Sequence, residues 1–202
     1  MLLVQGQAAL PSIADLLEGA PITTRGYSHD YVPAWQVRDE LVNGSDFALI
    51  KLFNGRSTVV HRRLWAALNV LAPAARTEVL RQGGGPAVML RAIEKQPGLK
   101  GEQIKQKLKL ESAPFQRDKT RLEQWLCVEG RELAGPEPHT HDSAWFPWGM
   151  CKVAAEGTAE LAIEAARDIL ARAAFPRGAM PERKALLRAM PVFAMARVFR
   201  PG

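Results

Sequence analysis

Between Pro86 and Val153 the chain runs through helical and extended patterns in an order that few folds accept. PAVMLRAIEKQPG reads as a helix stopped at Pro97-Gly98, and LKGEQIKQKLKL as a short one with Ile104 and Leu108 four residues apart. A third helix, beginning APFQRD, has Ser112 as its expected cap. In this helix Phe115, Leu122 and Leu126 share one side, with Trp125 at its edge. At about 100° per residue the opposite side carries Arg117, Thr120 and Gln124, flanked by Gln116 and Arg121. CVEGREL and AWFPWGMCKV, separated by AGPEPHTHDS, then read as a β-hairpin. Three helices closed by a hairpin predict a winged helix-turn-helix over residues 83–153.

The flanking segments are also patterned. Residues 1–82 form a mixed helical and hairpin segment. A short helix is expected from Ser12 to a stop at Gly19, and a second from Pro33 to Val42, closed by Asn43-Gly44. Phe47 to Phe53 and Ser57 to Val60 flank Asn54-Gly55, a strong hairpin signal. A helix from Arg62 to Leu71 should follow, then another turn or two before Gly83-Gly84-Gly85, where the chain is expected to break into a second domain. Residues 154–202 read as helices, the first with Leu161, Ala165, Ile169 and Ala173 at spacings of four. The fold class expected is mainly α with small β-hairpins, an α+β chain.

Charge discriminates between regions once it is located. From Arg172 to Gly202 there are seven basic residues and one acid, while the preceding 171 residues balance 20 bases against 20 acids. The pI near 9.6 therefore belongs to the C-terminal stretch. That stretch, MPERKALLRAMPVFAMARVFRPG, combines Leu186, Leu187, Met190, Phe193, Met195, Val198 and Phe199 with five bases. Its apolar side is expected to dock on the body or on a second copy, making a homodimer one use of it. The span Lys100 to Arg121 carries a local +4. Lys105 and Lys107, with Gln116, Arg117, Thr120, Arg121 and Gln124, can donate to phosphates or base edges, so double-stranded DNA is the expected partner. His61, Arg62 and Arg63 form a further cluster suited to a phosphate contact.

Other chemistries find little support. No P-loop, GxSxG, HExxH or CxxC occurs, and no cofactor is expected. His139 and His141 lack neighbouring ligands, so no metal site is expected, and Cys127 and Cys151 read as core thiols. The tryptophans Trp35, Trp65, Trp125, Trp145 and Trp148 read as core or interface anchors. There is no run of eighteen apolar residues, and the N-terminus lacks the pattern of a secretory signal. The expected location is the cytoplasm, away from membranes.

Two stretches resemble known proteins. Arg25-Gly26 to His29 and KLFNGRSTVVHRRLW, Lys51 to Trp65, are similar to the N-terminal part of short, mostly uncharacterised bacterial winged-helix proteins. GEQIKQKLKL through FQRDKTRLEQWL to SAWFPWG resembles the winged-helix segment of proteins related to the AlkZ-like DNA glycosylases. The resemblance implies tandem winged helices and excision of alkylated or crosslinked bases, with a Gln-x-Gln or Gln-x-Asp pair placing the water. The chain's Gln-x-Gln is Gln5 to Gln7, ahead of any element that could hold it rigid. The resulting expectation is a DNA-binding winged-helix protein linked to repair, with a small glycosylase or an interaction module as alternatives.

Overall fold

The computed structural model describes residues 2–3, 13, 32–53, 55–133, 143–157, 160–174 and 190–192. Among them are six α-helices and two three-stranded antiparallel sheets, so the chain is mainly helical with small sheets. The helix expected between Ser12 and Gly19 lies outside the described residues except for Ile13, which is helical and buried.

The first sheet grows from the Asn54-Gly55 signal. Strands β2 (Phe47–Phe53) and β3 (Arg56–His61) pair from Phe47 opposite His61 to Phe53 opposite Arg56. Gly55 supplies the positive φ, 69°, that the tight turn requires. Strand β1 (Leu2–Leu3) adds to the far side of β3, giving the order β1-β3-β2. Helix α1 (Val32–Asn43) packs against β2, bracketing the stretch read from Pro33 to Val42.

The next helix corrects the expected one. Residues Arg62–Leu64 form a single 3-10 turn, and α2 then runs unbroken from Trp65 to Gln82 with Pro73 inside it. Proline removes one hydrogen bond and costs roughly 3 kcal/mol in a helix interior. Leu68, Leu71, Ala72, Ala75 and Val79 are all buried on this helix. Burying a large aliphatic side chain contributes about 1.5–3 kcal/mol, so the packed face outweighs the proline.

At the glycine run, Gly83 and Gly84 have φ near 70°, a conformation open to glycine, and reverse the chain into α3 (Gly84–Lys95). One hydrophobic cluster continues across this point, joining Leu52, Val60, Trp65 and Leu68 to Leu90, Ile93, Leu122 and Trp145. The glycines turn the chain within a shared core.

Strand β4 (Leu99–Lys100), helix α4 (Gly101–Leu108), helix α5 (Ser112–Gln124) and strands β5 (Val128–Glu132) and β6 (Ser143–Pro147) follow. The second sheet has the order β4-β6-β5. Helix α4 ends on Lys109 in the left-handed region, φ 52°, and α5 begins three residues later. Ser112, expected to cap α5, is instead its first residue. The cap position is Glu111, whose charge suits the positive end of the helix dipole.

Helix α6 (Ile163–Ala174) packs on α2. Its buried row is Ala166, Leu170, Ala171 and Ala174, one position on from the row expected; Ala165 and Ile169 are exposed. Both rows have helical spacing, and the three alanines of the buried one let the helices approach closely. The C-terminal stretch is described at residues 190–192, where Met190 and Val192 are buried in the main core. No described helix is long and apolar enough to cross a membrane.

Candidate nucleic-acid interface

Helix α5 is held by an apolar seam in which Phe115, Leu122, Trp125 and Leu126 are buried. The Phe115 ring meets Trp145 edge-on, centroids 5.9 Å apart, and Gly101 lets Phe115 and Trp145 come against the start of α4. Two acids share the buried side. Asp118 is 3% exposed and Glu123 6% at the side chain. A carboxylate is retained there when it is paired. Asp118 accepts from Arg117 Nε at 3.0 Å, and its other oxygen lies against Gly85, at the positive end of α3. Glu123 accepts from Lys51 Nζ at 3.1 Å on both oxygens, tying α5 to β2. Asp118 stands between Phe115 and Leu122 at seam spacing, and a polar residue in that register was the signal for its burial.

The outer side of α5 divides into two halves. Toward its C-terminal end the first hairpin covers it: a Cβ on Gly55 would lie 2.5 Å from Gln124 Nε2 and 3.6 Å from Thr120 Cγ2. Arg121 donates to Gln82 Oε1 and stacks 4.3 Å from the Trp125 ring centre. Gln82 donates in turn to Glu78, whose carboxyl is held down to about 2, chiefly by the hydrogen bond from Arg81. Thr120, Arg121 and Gln124 are therefore engaged by protein. Toward the N-terminal end Gln116 and Arg117 are exposed, Arg117 at 74%. Gly55→Ala tests this division: strain at positive φ and pressure on Gln124 should lower stability by about 1–2 kcal/mol. Urea denaturation measures it, and an unchanged midpoint would refute the close approach.

The lysines of α4 stand beside the open half. Lys107 is exposed and donates to Gln96 at 3.0 Å; Lys105 pairs with Glu102 at 2.6 Å and lies 6.0 Å from the Phe115 ring. Lys100 and Lys109 are exposed. Lys119, half-buried near the Phe115 and Trp145 rings, has its proton affinity lowered mainly by burial. The His61-Arg62-Arg63 cluster belongs to the first sheet and the turn that follows it. It sits at the end of β3 away from the Gly55 turn, roughly 17 Å distant at ~3.4 Å per residue. His61 Nδ1 accepts from the Arg63 N–H and caps the 3-10 turn, while Arg62 pairs with Glu156 at 3.0 Å. His139 and His141 fall outside the described residues, as do Gln5 and Gln7. Among the described residues no three His, Cys, Asp or Glu side chains gather as a metal site. Cys127 and Cys151 are buried, and burial pushes the Cys127 thiol up to about 12, far from a reactive thiolate.

Compared with protein-family models, with curated proteins and with solved structures, the chain matches none of them.

Proposed function

We propose that residues 83–153 form a winged helix-turn-helix and that the chain binds double-stranded DNA through the N-terminal half of α5 and the lysines of α4. The order helix, strand, helix, helix, strand, strand, with β4 beside β6, supports this reading. The observation that carries it is the exposed Arg117 next to exposed Gln116 at the start of the third helix. In helix-turn-helix proteins the N-terminal residues of that helix meet base edges, and glutamine and arginine are the side chains suited to adenine and guanine. The sequence resemblance to AlkZ-related proteins supports a link to DNA repair.

Fluorescence anisotropy with a labelled duplex at ~50 mM salt tests the reading. Binding should weaken steeply as salt rises, because neutralised phosphates release counterions. In a protein whose unfolding shows that it keeps its fold without the Arg117–Asp118 pair, Arg117→Ala should lower affinity about tenfold and flatten the salt dependence by about one contact. Arg121→Ala, already engaged by Gln82 and Trp125, should leave both unchanged. Absent or salt-independent binding refutes the proposal, and equal effects of the two variants refute the assignment of the open half. Strand breaks in alkylated duplex after alkali would favour the glycosylase alternative.

A further inference from the structure

A second feature is a cleft lined by strands of both sheets. The cleft, of about 380 Å³, runs between α1, β2 and the outer strand β5, with Glu123, Trp145 and Lys119 in its lining. Pockets of this size take small molecules. Trp145 is 6% exposed, its Nε1 is buried, and among the described residues this N–H has no hydrogen-bond partner. A buried donor left unmade costs free energy, so it calls for an acceptor. The donor does not stand alone. A Cβ placed on Gly130 would lie 3.1 Å from Trp145 Nε1 and 2.9 Å from Glu123 Oε1, so an indole donor and a carboxylate acceptor stand side by side at Gly130. Gly130 is exposed and lines the same cleft.

Charge narrows the occupant. Glu123 is paired with Lys51, Glu129 with Arg131 at 2.7 Å, and Asp39 with Arg38. Lys152 donates to the Val42, Gly44 and Phe47 carbonyls. With its carboxylates and most of its cations already engaged, the lining offers little net attraction to an ion. An anion at the indole N–H would also stand against Glu123. An uncharged group that can accept from Trp145 and donate to Glu123 at once is an amide whose C=O and N–H lie on the same edge.

We propose that this cleft is a binding site for an uncharged small molecule carrying a primary amide or a lactam edge, held by Trp145 Nε1–H and the Glu123 carboxylate beside Gly130. The site is separate from the open half of α5 and does not depend on DNA binding there.

The test uses the full-length chain labelled with nitrogen-15, in which Trp145→Phe identifies the Trp145 indole signal. The probe is 2-pyridone, a lactam; 2-methoxypyridine, which has no N–H, is its control. At low-millimolar probe the Trp145 indole signal should move in a saturable way with 2-pyridone and stay in place with 2-methoxypyridine. Glu123→Gln should weaken the response at least tenfold. Gly130→Ala, whose methyl would press between the two polar groups, should abolish it, so the proposal remains testable if the Glu123 variant does not fold. A Trp145 signal unmoved by 2-pyridone, an equal response to both probes, or a folded Gly130→Ala protein that responds like the parent would each overturn the proposal.

Discussion

Asn69→Ala is expected to lower the stability of the fold by about 3–5 kcal/mol. Asn69 lies in the apolar run WAALNVL on α2 and is 5% exposed. Its Nδ2 donates to the Val153 carbonyl at 2.8 Å and the Gly157 carbonyl at 2.9 Å, and its Oδ1 accepts from Trp148 Nε1 at 3.1 Å. One side chain thus joins α2 to the residues that follow β6. Each hydrogen bond contributes about 1 kcal/mol, and each buried group left unpaired costs a further ~1–3 kcal/mol. The Gly157 carbonyl is partly exposed and can turn to water, which holds the total within the stated range. For a chain of this size each kcal/mol lowers Tm by about 2–4 °C, so thermal unfolding should shift by roughly 10 °C. A shift below ~3 °C would show that the three bonds carry little.

Asn69→Asp separates hydrogen bonding from packing. An ionised aspartate of the same shape accepts only, and would face two carbonyls. Burial should raise its folded-state pKa above the ordinary ~3.9. Destabilisation should then be present at neutral pH and fade as pH falls through the raised folded-state value, where the protonated acid regains one donor. A deficit independent of pH between 7 and 4 would contradict this account.

Gly85→Ala should cost about 2 kcal/mol, although helix propensity alone predicts a gain of ~1 kcal/mol. Gly85 lies in the first turn of α3, with φ outside the positive region. A Cβ there would lie 1.9 Å from Asp118 Oδ2, and the Asp118 side chain is only 3% exposed. Overpacking of this kind costs about 1–3 kcal/mol, and here it also displaces a buried carboxylate. The diagnostic is the double variant. With Asp118→Ala the clash is gone, so the two losses should fall short of additivity by about 1–2 kcal/mol in urea denaturation. A stabilised Gly85→Ala protein, or strict additivity, would disprove the contact.

These cases show where the sequence was legible. The first hairpin and its Gly55 turn, the α4 and α5 helices, the β5–β6 pair and the apolar seam of α5 each depend on local geometry: turn chemistry, spacing of apolar residues, alternation. Such preferences act over a few residues, so they are written in the order of the residues themselves. Even there, local rules left errors. Proline inside α2 reads locally as a break, yet the buried face of the helix holds it whole. The two alanine-containing rows of α6 are equivalent by spacing, and contact with α2 selected one of them.

What tertiary structure alone decided is which polar groups meet. Arg117, Thr120, Arg121 and Gln124 share the outer side of α5 by periodicity, but the Gly55 turn over Thr120 and Gln124, with Gln82 against Arg121, separates them into an open and a covered half. Packing likewise brings Lys51 to Glu123, sets Asp118 against Gly85, and brings the Trp145 N–H and the Glu123 carboxylate together beside Gly130. Helical period determines the side of a helix on which a residue stands. Whether that side meets solvent, a partner or a distant part of the same chain depends on burial summed over the whole core, which no local stretch of sequence contains.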